Sequence, residues 1–126
     1  MDKANIQFGA VLLTVFLLLA AAIGYLVSPD AMLSVVGIEA SPTSEFLVRT
    51  LAAAFFAMIP SALSVRRRGA SSSERTILAG LALYMFAGSA VDAHAYLSAL
   101  VGSAAVPSII FRSLLGLVLA WLVLPD

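Results

Sequence analysis

Cysteine is absent from these 126 residues, which excludes disulfides, thiolate catalysis and Cys-bound metals or clusters. Histidine occurs once, so no pair is available for bis-His haem or a multi-His metal site. Charge is scarce as well. Only 11% of residues are Asp, Glu, Lys or Arg, against about 25% in an average soluble domain. Seven basic residues balance seven acidic ones, and no long basic block points to nucleic acid. No Gly-rich loop is built to cradle phosphate. The few carboxylates are scattered, so no di-metal site is visible. Ser89 lies near Asp92, but no His shares that face and no nucleophile–base set exists. The expectation is a protein that is not an enzyme and carries no cofactor. What remains is apolar: 62% of the chain. A soluble fold of this size could not hide so much apolar surface, and a lipid bilayer is the solvent that this composition predicts.

A spanning helix needs about 20 mostly apolar residues. Such runs cover residues 8–27, 46–65, 76–100 and 106–124. The opening MDKANIQ and the Ala20–Ala22 run have the form of a signal peptide with its cleavage site. With Met1 retained, the first run is expected to stay as a span. Between the first two spans, SPDAMLSVVG offers Ser28 as N-cap, Pro29 at the first helical position, Asp30 in the first turn and Gly37 as terminator. It is too short to cross and reads as an interfacial helix. Ser71 and Glu74 form a capping box for the third span, and Ser41 or Thr43 caps the second. The prediction is an all-α, polytopic four-helix membrane bundle forming one domain over residues 1–126.

Basic residues orient such a chain. Arg66, Arg67, Arg68 and Arg75 join the second and third spans, and Lys3 precedes the first; the other two connections hold no Lys or Arg. Both termini are therefore expected in the cytoplasm, and the arginine run reads as a topological signal rather than a headgroup or partner site.

The stretch SAVDAHAYLSALVGSAAVPSIIFRSLLG places Asp92, His94 and Arg112 in apolar surroundings. Successive helical residues turn by about 100°. Asp92 shares a face with Leu81, Met85, Gly88 and Tyr96, whereas His94 faces the other way with Gly80, Ala87 and Ala90. Arg112 aligns with Ser108, Gly116 and Leu119, opposite Trp121. Trp121 reads as a lipid-facing interfacial anchor, which turns Arg112 inward. Arg49 aligns with Glu45, Ala53, Phe56 and Pro60. By helical rise, Asp92 lies about 24 Å from Thr76, Arg112 about 8 Å past Pro107 and Arg49 about 6 Å past Glu45. All three fall in one outer layer of the bilayer. A charge near the bilayer centre costs about 2.5–3.5 kcal/mol, less near the edge. Two pairs are expected to offset that: Asp92–Arg112 between helices and Glu45–Arg49 at i,i+4.

The pairs either only fix helix register or form a polar pocket, open outward, for a headgroup or a proton; Arg snorkelling to headgroups is the remaining reading. His94 reads as a packing or interfacial residue. The spacing from Ala90 to His94 also suits a ligated ring, but it is too common in Ala-rich helices to carry a pigment or haem site. Gly80, Ala87, Gly88, Ala90 and Gly116, with Ala20 and Gly24, are expected to let helices approach closely. Pro60 is expected to bend the second span.

The order of a first span, SPDAMLSVVGIE, a helix opening SEFLVRTLAAAF and two further spans resembles the small four-helix membrane proteins of the DoxX-like and DUF4345 type. The resemblance covers nearly the whole chain. Its most specific parts are Pro29–Asp30, Gly37 and the Glu45–Arg49 spacing. It implies a bacterial inner-membrane protein, and for some DoxX-type members a small membrane subunit of quinone-linked oxidoreductase complexes. In the DUF4345 pattern the third span bears the basic residue and the fourth the acid. Asp92 and Arg112 take the opposite order, so no functional residue is carried over.

Two functions follow as expectations. The first is a non-enzymatic scaffold or accessory subunit, partnered by the lipid bilayer and by another membrane protein or copies of itself, with no nucleic-acid partner. The alternative is binding or transport of a small amphiphile (lipid, quinone or organic solute). Its site would be the cluster of Arg49, Asp92, Arg112 and Glu45, with Tyr84, Tyr96, Phe56 and His94 as further candidates.

Overall fold

The computed structural model describes residues 2–65 and 71–125. Among them the fold is all-helical: α1 (Lys3–Val27), α2 (Pro29–Val35), α3 (Pro42–Leu63), α4 (Ser72–Leu97) and α5 (Ala105–Val123). Four of these, all but α2, are long and apolar enough to cross a membrane. The short α2 stands where the interfacial helix was expected. Arg66, Arg67 and Arg68 lie outside the described residues.

Local chemistry sets the helix ends. Asp2 caps α1 by accepting from the Ala4 N–H at 3.4 Å, so the helix starts five residues before the apolar run does. Ser41, not Thr43, caps α3: it accepts from the Ser44 N–H at 3.1 Å while the Ser44 hydroxyl accepts from the Ser41 N–H at 2.8 Å. The Ser71–Glu74 box forms as expected, with the Ser71 N–H donating to Glu74 at 2.9 Å. Pro29 and Asp30 start α2, although Ser28 makes no side-chain cap bond. Gly37, at φ +80°, ends it with the Ile38 N–H donating to the Leu33 carbonyl. The end of α4 repeats this turn with Ala99 at φ 56°, so α4 stops at Leu97, three residues before the apolar run ends. Pro60 takes away the N–H that would bond the Phe56 carbonyl, yet α3 continues to Leu63.

The helices form two broad seams, α1 with α3 and α4 with α5; narrower contacts join α1 to α5 and α3 to α4. At the end of the bundle holding the chain termini, all four long helices meet around Val11, Ala62, Leu78, Met85, Leu115 and Leu119. Lys3 ties this end by donating to the Leu124 carbonyl at 2.7 Å, with its ammonium 5.2 Å from the Trp121 ring centre. Toward the α2 end the buried cluster shrinks to Leu18, Ala22, Ala52 and Phe55, all from α1 and α3. The two seams part there. Above them, the Gly102 N–H donates to the Val36 carbonyl at 2.8 Å and ties the two connections of that end together.

The outward surface is apolar, with Phe16 67%, Leu83 69% and Leu97 82% exposed. In lipid such faces need no cover, and helix association rests on close packing. Gly116 shows that packing: a Cβ there would meet the Phe86 ring at 3.0 Å. Gly24 is similarly filled, by Met32 of α2. The small residues of the other α4 face are not used this way. A Cβ at Gly80 would have nothing within 4 Å, and Ala87 and Ala90 are exposed.

Candidate functional site

The broad α4–α5 seam brings Asp92 and Arg112 together. Arg112 Nη1 donates to Asp92 Oδ2 at 3.0 Å, with the Arg112 side chain 27% exposed and that of Asp92 32%. Gly88, one helical turn before Asp92, makes the niche: a Cβ there would sit 2.7 Å from the same Nη1. One turn deeper, Ser89 donates to the Ile109 carbonyl at 3.1 Å and accepts from the Ser113 hydroxyl at 3.1 Å. The seam is therefore pinned by polar bonds along its α2-end half. Angular arithmetic anticipated the Asp92–Arg112 pair but missed the Ser89–Ser113 link and the role of Gly88. The signal for the link was present, since Ser113 follows Arg112 and Ser89 lies on the buried side of α4.

Arg49 does not join that pair. Its stripe on α3, with Ala53, Phe56 and Pro60, is exposed. Its carboxylate partner among the described residues is Glu45, at a loose 4.0 Å with Arg49 52% exposed. The buried face of α3 is Ala52, Phe55 and Ala62. Both expected pairs, Asp92–Arg112 and Glu45–Arg49, are present, but they stand apart and do not gather into one cluster. A charge near a helix start can reach the headgroups without turning inward, which is why Arg49 did not mark the inner face. Phe56, 38% exposed, is likewise on the outside, and its neighbour Phe55 is the aromatic that points in. Tyr96 is 41% exposed and His94 is exposed on the opposite face of α4 from Asp92.

Where the two seams part lies a cavity of about 460 Å³. Leu17, Leu18 and Ala21 of α1 form one wall and Phe55 of α3 another; Tyr84 and Met85 of α4 form the floor; Pro107, Ser108, Phe111 and Arg112 of α5 complete it. The exposed residues of this lining, Pro107 and Phe111, are both on α5. Its walls are mainly apolar. A polar pocket was expected; this cavity is mainly apolar with a few polar groups, and α1, which was not expected to contribute, forms much of its wall. Tyr84, an expected residue, is held edge-on against Phe55 at 5.8 Å and 79°.

The polar groups are Arg112, which only donates, and the hydroxyls of Tyr84 and Ser108, which donate or accept. Arg112 carries five N–H donors, and among the described residues its hydrogen bond to protein is the single one to Asp92. The Tyr84 hydroxyl makes no hydrogen bond to protein among the described residues, yet no buried side-chain polar atom there is left without a partner, so this hydroxyl reaches open space. At membrane depth such donors need acceptors. An apolar body with an acceptor at one end fits this arrangement. No group of three or more metal-ligating side chains is gathered among the described residues. No family model, curated protein or solved structure matches this chain.

Proposed function

We propose that this is a non-enzymatic membrane protein that binds or carries a small amphiphile in the cavity between its two helix seams. The observation that supports the reading is the cavity itself, with mainly apolar walls and Arg112 and Tyr84 in its lining. Its volume lies within the range of about 300–1,000 Å³ usual for small-molecule sites. Its exposed lining residues, Pro107 and Phe111 of α5, suit a ligand arriving from the lipid phase. The reading requires no cofactor. The DoxX-like resemblance favours a bacterial inner membrane. Arg75 at the start of α4 and Lys3 at the start of α1 share the end that holds the chain termini, which favours both termini in the cytoplasm.

Native mass spectrometry of protein extracted gently from its own membrane tests this. A recurrent small mass is expected on the wild-type chain and is expected to disappear in Ala21→Phe, which fills the cavity from α1. A wild-type chain that never carries such a mass overturns the reading.

The scaffold or accessory-subunit reading has one observation in its favour. The exposed α4 face of Gly80, Ala87 and Ala90 sets small residues around the projecting Leu83, a surface onto which a helix of another chain can pack. The same spectra decide it: co-purifying polypeptides or a homo-oligomer, lost on Ala87→Trp, are its expected signature.

A further inference from the structure

The pairing of Arg112 bears on which amphiphile enters, a question that rests on the binding function proposed for the cavity. Arg112 lines the cavity, whereas Asp92 is not among its lining residues. Asp92 holds Nη1 at 3.0 Å from behind, and Gly88 leaves the space that lets it do so. The cavity therefore meets a guanidinium whose charge is already balanced but whose other N–H donors remain unspent. A carboxylate, phosphate or sulfonate placed there would add an uncompensated negative charge to a low-dielectric site, next to Asp92 as well as Arg112. An uncharged carbonyl oxygen would accept from the spare N–H groups, and from the Tyr84 hydroxyl, without that penalty.

We infer that the cavity selects amphiphiles with an uncharged acceptor head, such as an ester, ketone or amide carbonyl, over anionic ones, and that Asp92 sets this preference. Asp92 is a positioning residue that acts through Arg112. Removing its charge without its shape leaves Arg112 a free cation, and the selectivity turns toward anions.

The test uses the full chain in phosphatidylcholine nanodiscs and two photoreactive probes. Both carry a diazirine on a ten-carbon chain; one ends in a methyl ester and the other in a sulfonate, which stays anionic throughout. In the wild type, the ester should label the peptides holding Leu17–Ala21 and Pro107–Arg112 at least about tenfold more than the sulfonate, as expected for a single unmatched charge. In Asp92→Asn the ratio should move toward the sulfonate by about tenfold or more. Sulfonate labelling equal to or above ester labelling in the wild type overturns the inference and leaves the binding reading standing. An unchanged ratio in a folded Asp92→Asn protein overturns the role of Asp92. Labelling of the cavity by neither probe overturns the binding reading and the inference together. The wild-type ratio is decisive even where the variant does not assemble.

Discussion

Along the α4–α5 seam, Ser89 donates to the Ile109 carbonyl, Ser113 donates to Ser89, and Arg112 reaches over Gly88 to Asp92. Along the α1–α3 seam, at the same end of the bundle, the buried residues are Leu18, Ala22, Ala52 and Phe55. None of these four has a polar side chain. Lipid is as apolar as leucine, so transfer out of solvent does little to drive helices together in a membrane. Among the described residues, shape holds the second seam at this end, and a one-turn slide would exchange similar surfaces. In the first seam each bond has one register, and a slide would strand a serine and two charges. The cavity has one wall of each kind: a fixed donor side from α4 and α5, and an adaptable apolar side from α1 and α3. That combination suits a ligand whose head must be placed and whose tail need only be covered.

The largest effect should come from breaking the polar seam one-sidedly. Asp92→Ala leaves Arg112 unpaired at membrane depth and should destabilise the bundle by about 2–3 kcal/mol, a cost moderated by partial exposure. The double variant Asp92→Leu with Arg112→Met removes both charges and should recover most of that loss. Thermal unfolding in detergent, run as a double-mutant cycle, measures the coupling. Additive losses would mean that the pair does not hold the seam. Next in size is the apolar seam. Phe55→Ala removes a ring packed on both Tyr25 and Tyr84. In water such a truncation costs about 3–5 kcal/mol; without the transfer contribution the loss here should be about 2 kcal/mol. A loss equal to or larger than that from Asp92→Ala would reverse the ranking of the two seams.

The unequal seams also explain what could be read in advance. Spans were legible because length and apolarity suffice for them, and the Ser71–Glu74 and Gly37 ends because backbone chemistry is local. The Asp92–Arg112 pair was legible because Trp121, 44% exposed, fixes which side of α5 faces lipid. Nothing equivalent fixes α3. Phenylalanine and alanine occur all round it, and a helix apolar on every side carries no inside–outside signal in its periodicity. Arg49, the expected marker of the inner face, lies outside; Ala52, Phe55 and Ala62 are the inner residues. Arg112 and Tyr84 were legible as cavity residues, but its α1 and α3 walls were not, since they consist of residues indistinguishable by type from their lipid-facing neighbours.

A smaller and sharper contrast sets the two faces of α4 against each other. Glycine in mid-helix is less favourable than alanine by about 0.5–1 kcal/mol. Gly80→Ala meets open space and should raise stability by that amount. Gly88→Ala puts its methyl carbon 2.7 Å from Arg112 Nη1, at the far end of a flexible side chain. The guanidinium can move, but only by giving up its 3.0 Å bond to Asp92. We expect no gain, or a net loss, so the two variants should differ by about 1–1.5 kcal/mol. Equal melting shifts would show that the niche at Gly88 is not needed by the pair.

The smallest effect is expected where α4 ends. Ala99 sits at φ 56°, with its N–H donating to the Tyr96 carbonyl at 3.1 Å and the Leu100 N–H donating to the Ala95 carbonyl at 2.9 Å. This is the helix-ending turn that normally takes glycine, because a Cβ crowds the following carbonyl in the left-handed region. The matching turn after α2 does have glycine, at Gly37, whose φ is +80°. Ala99→Gly relieves that crowding but increases the freedom of the unfolded chain. The balance should be a gain of about 0.5 kcal/mol. Gly37→Ala should lose about 1 kcal/mol, because φ +80° is strained for a residue with a Cβ. Opposite signs in the two melting shifts would establish that both turns are held in the left-handed conformation described. Shifts of the same sign would mean that this end relaxes in the bilayer.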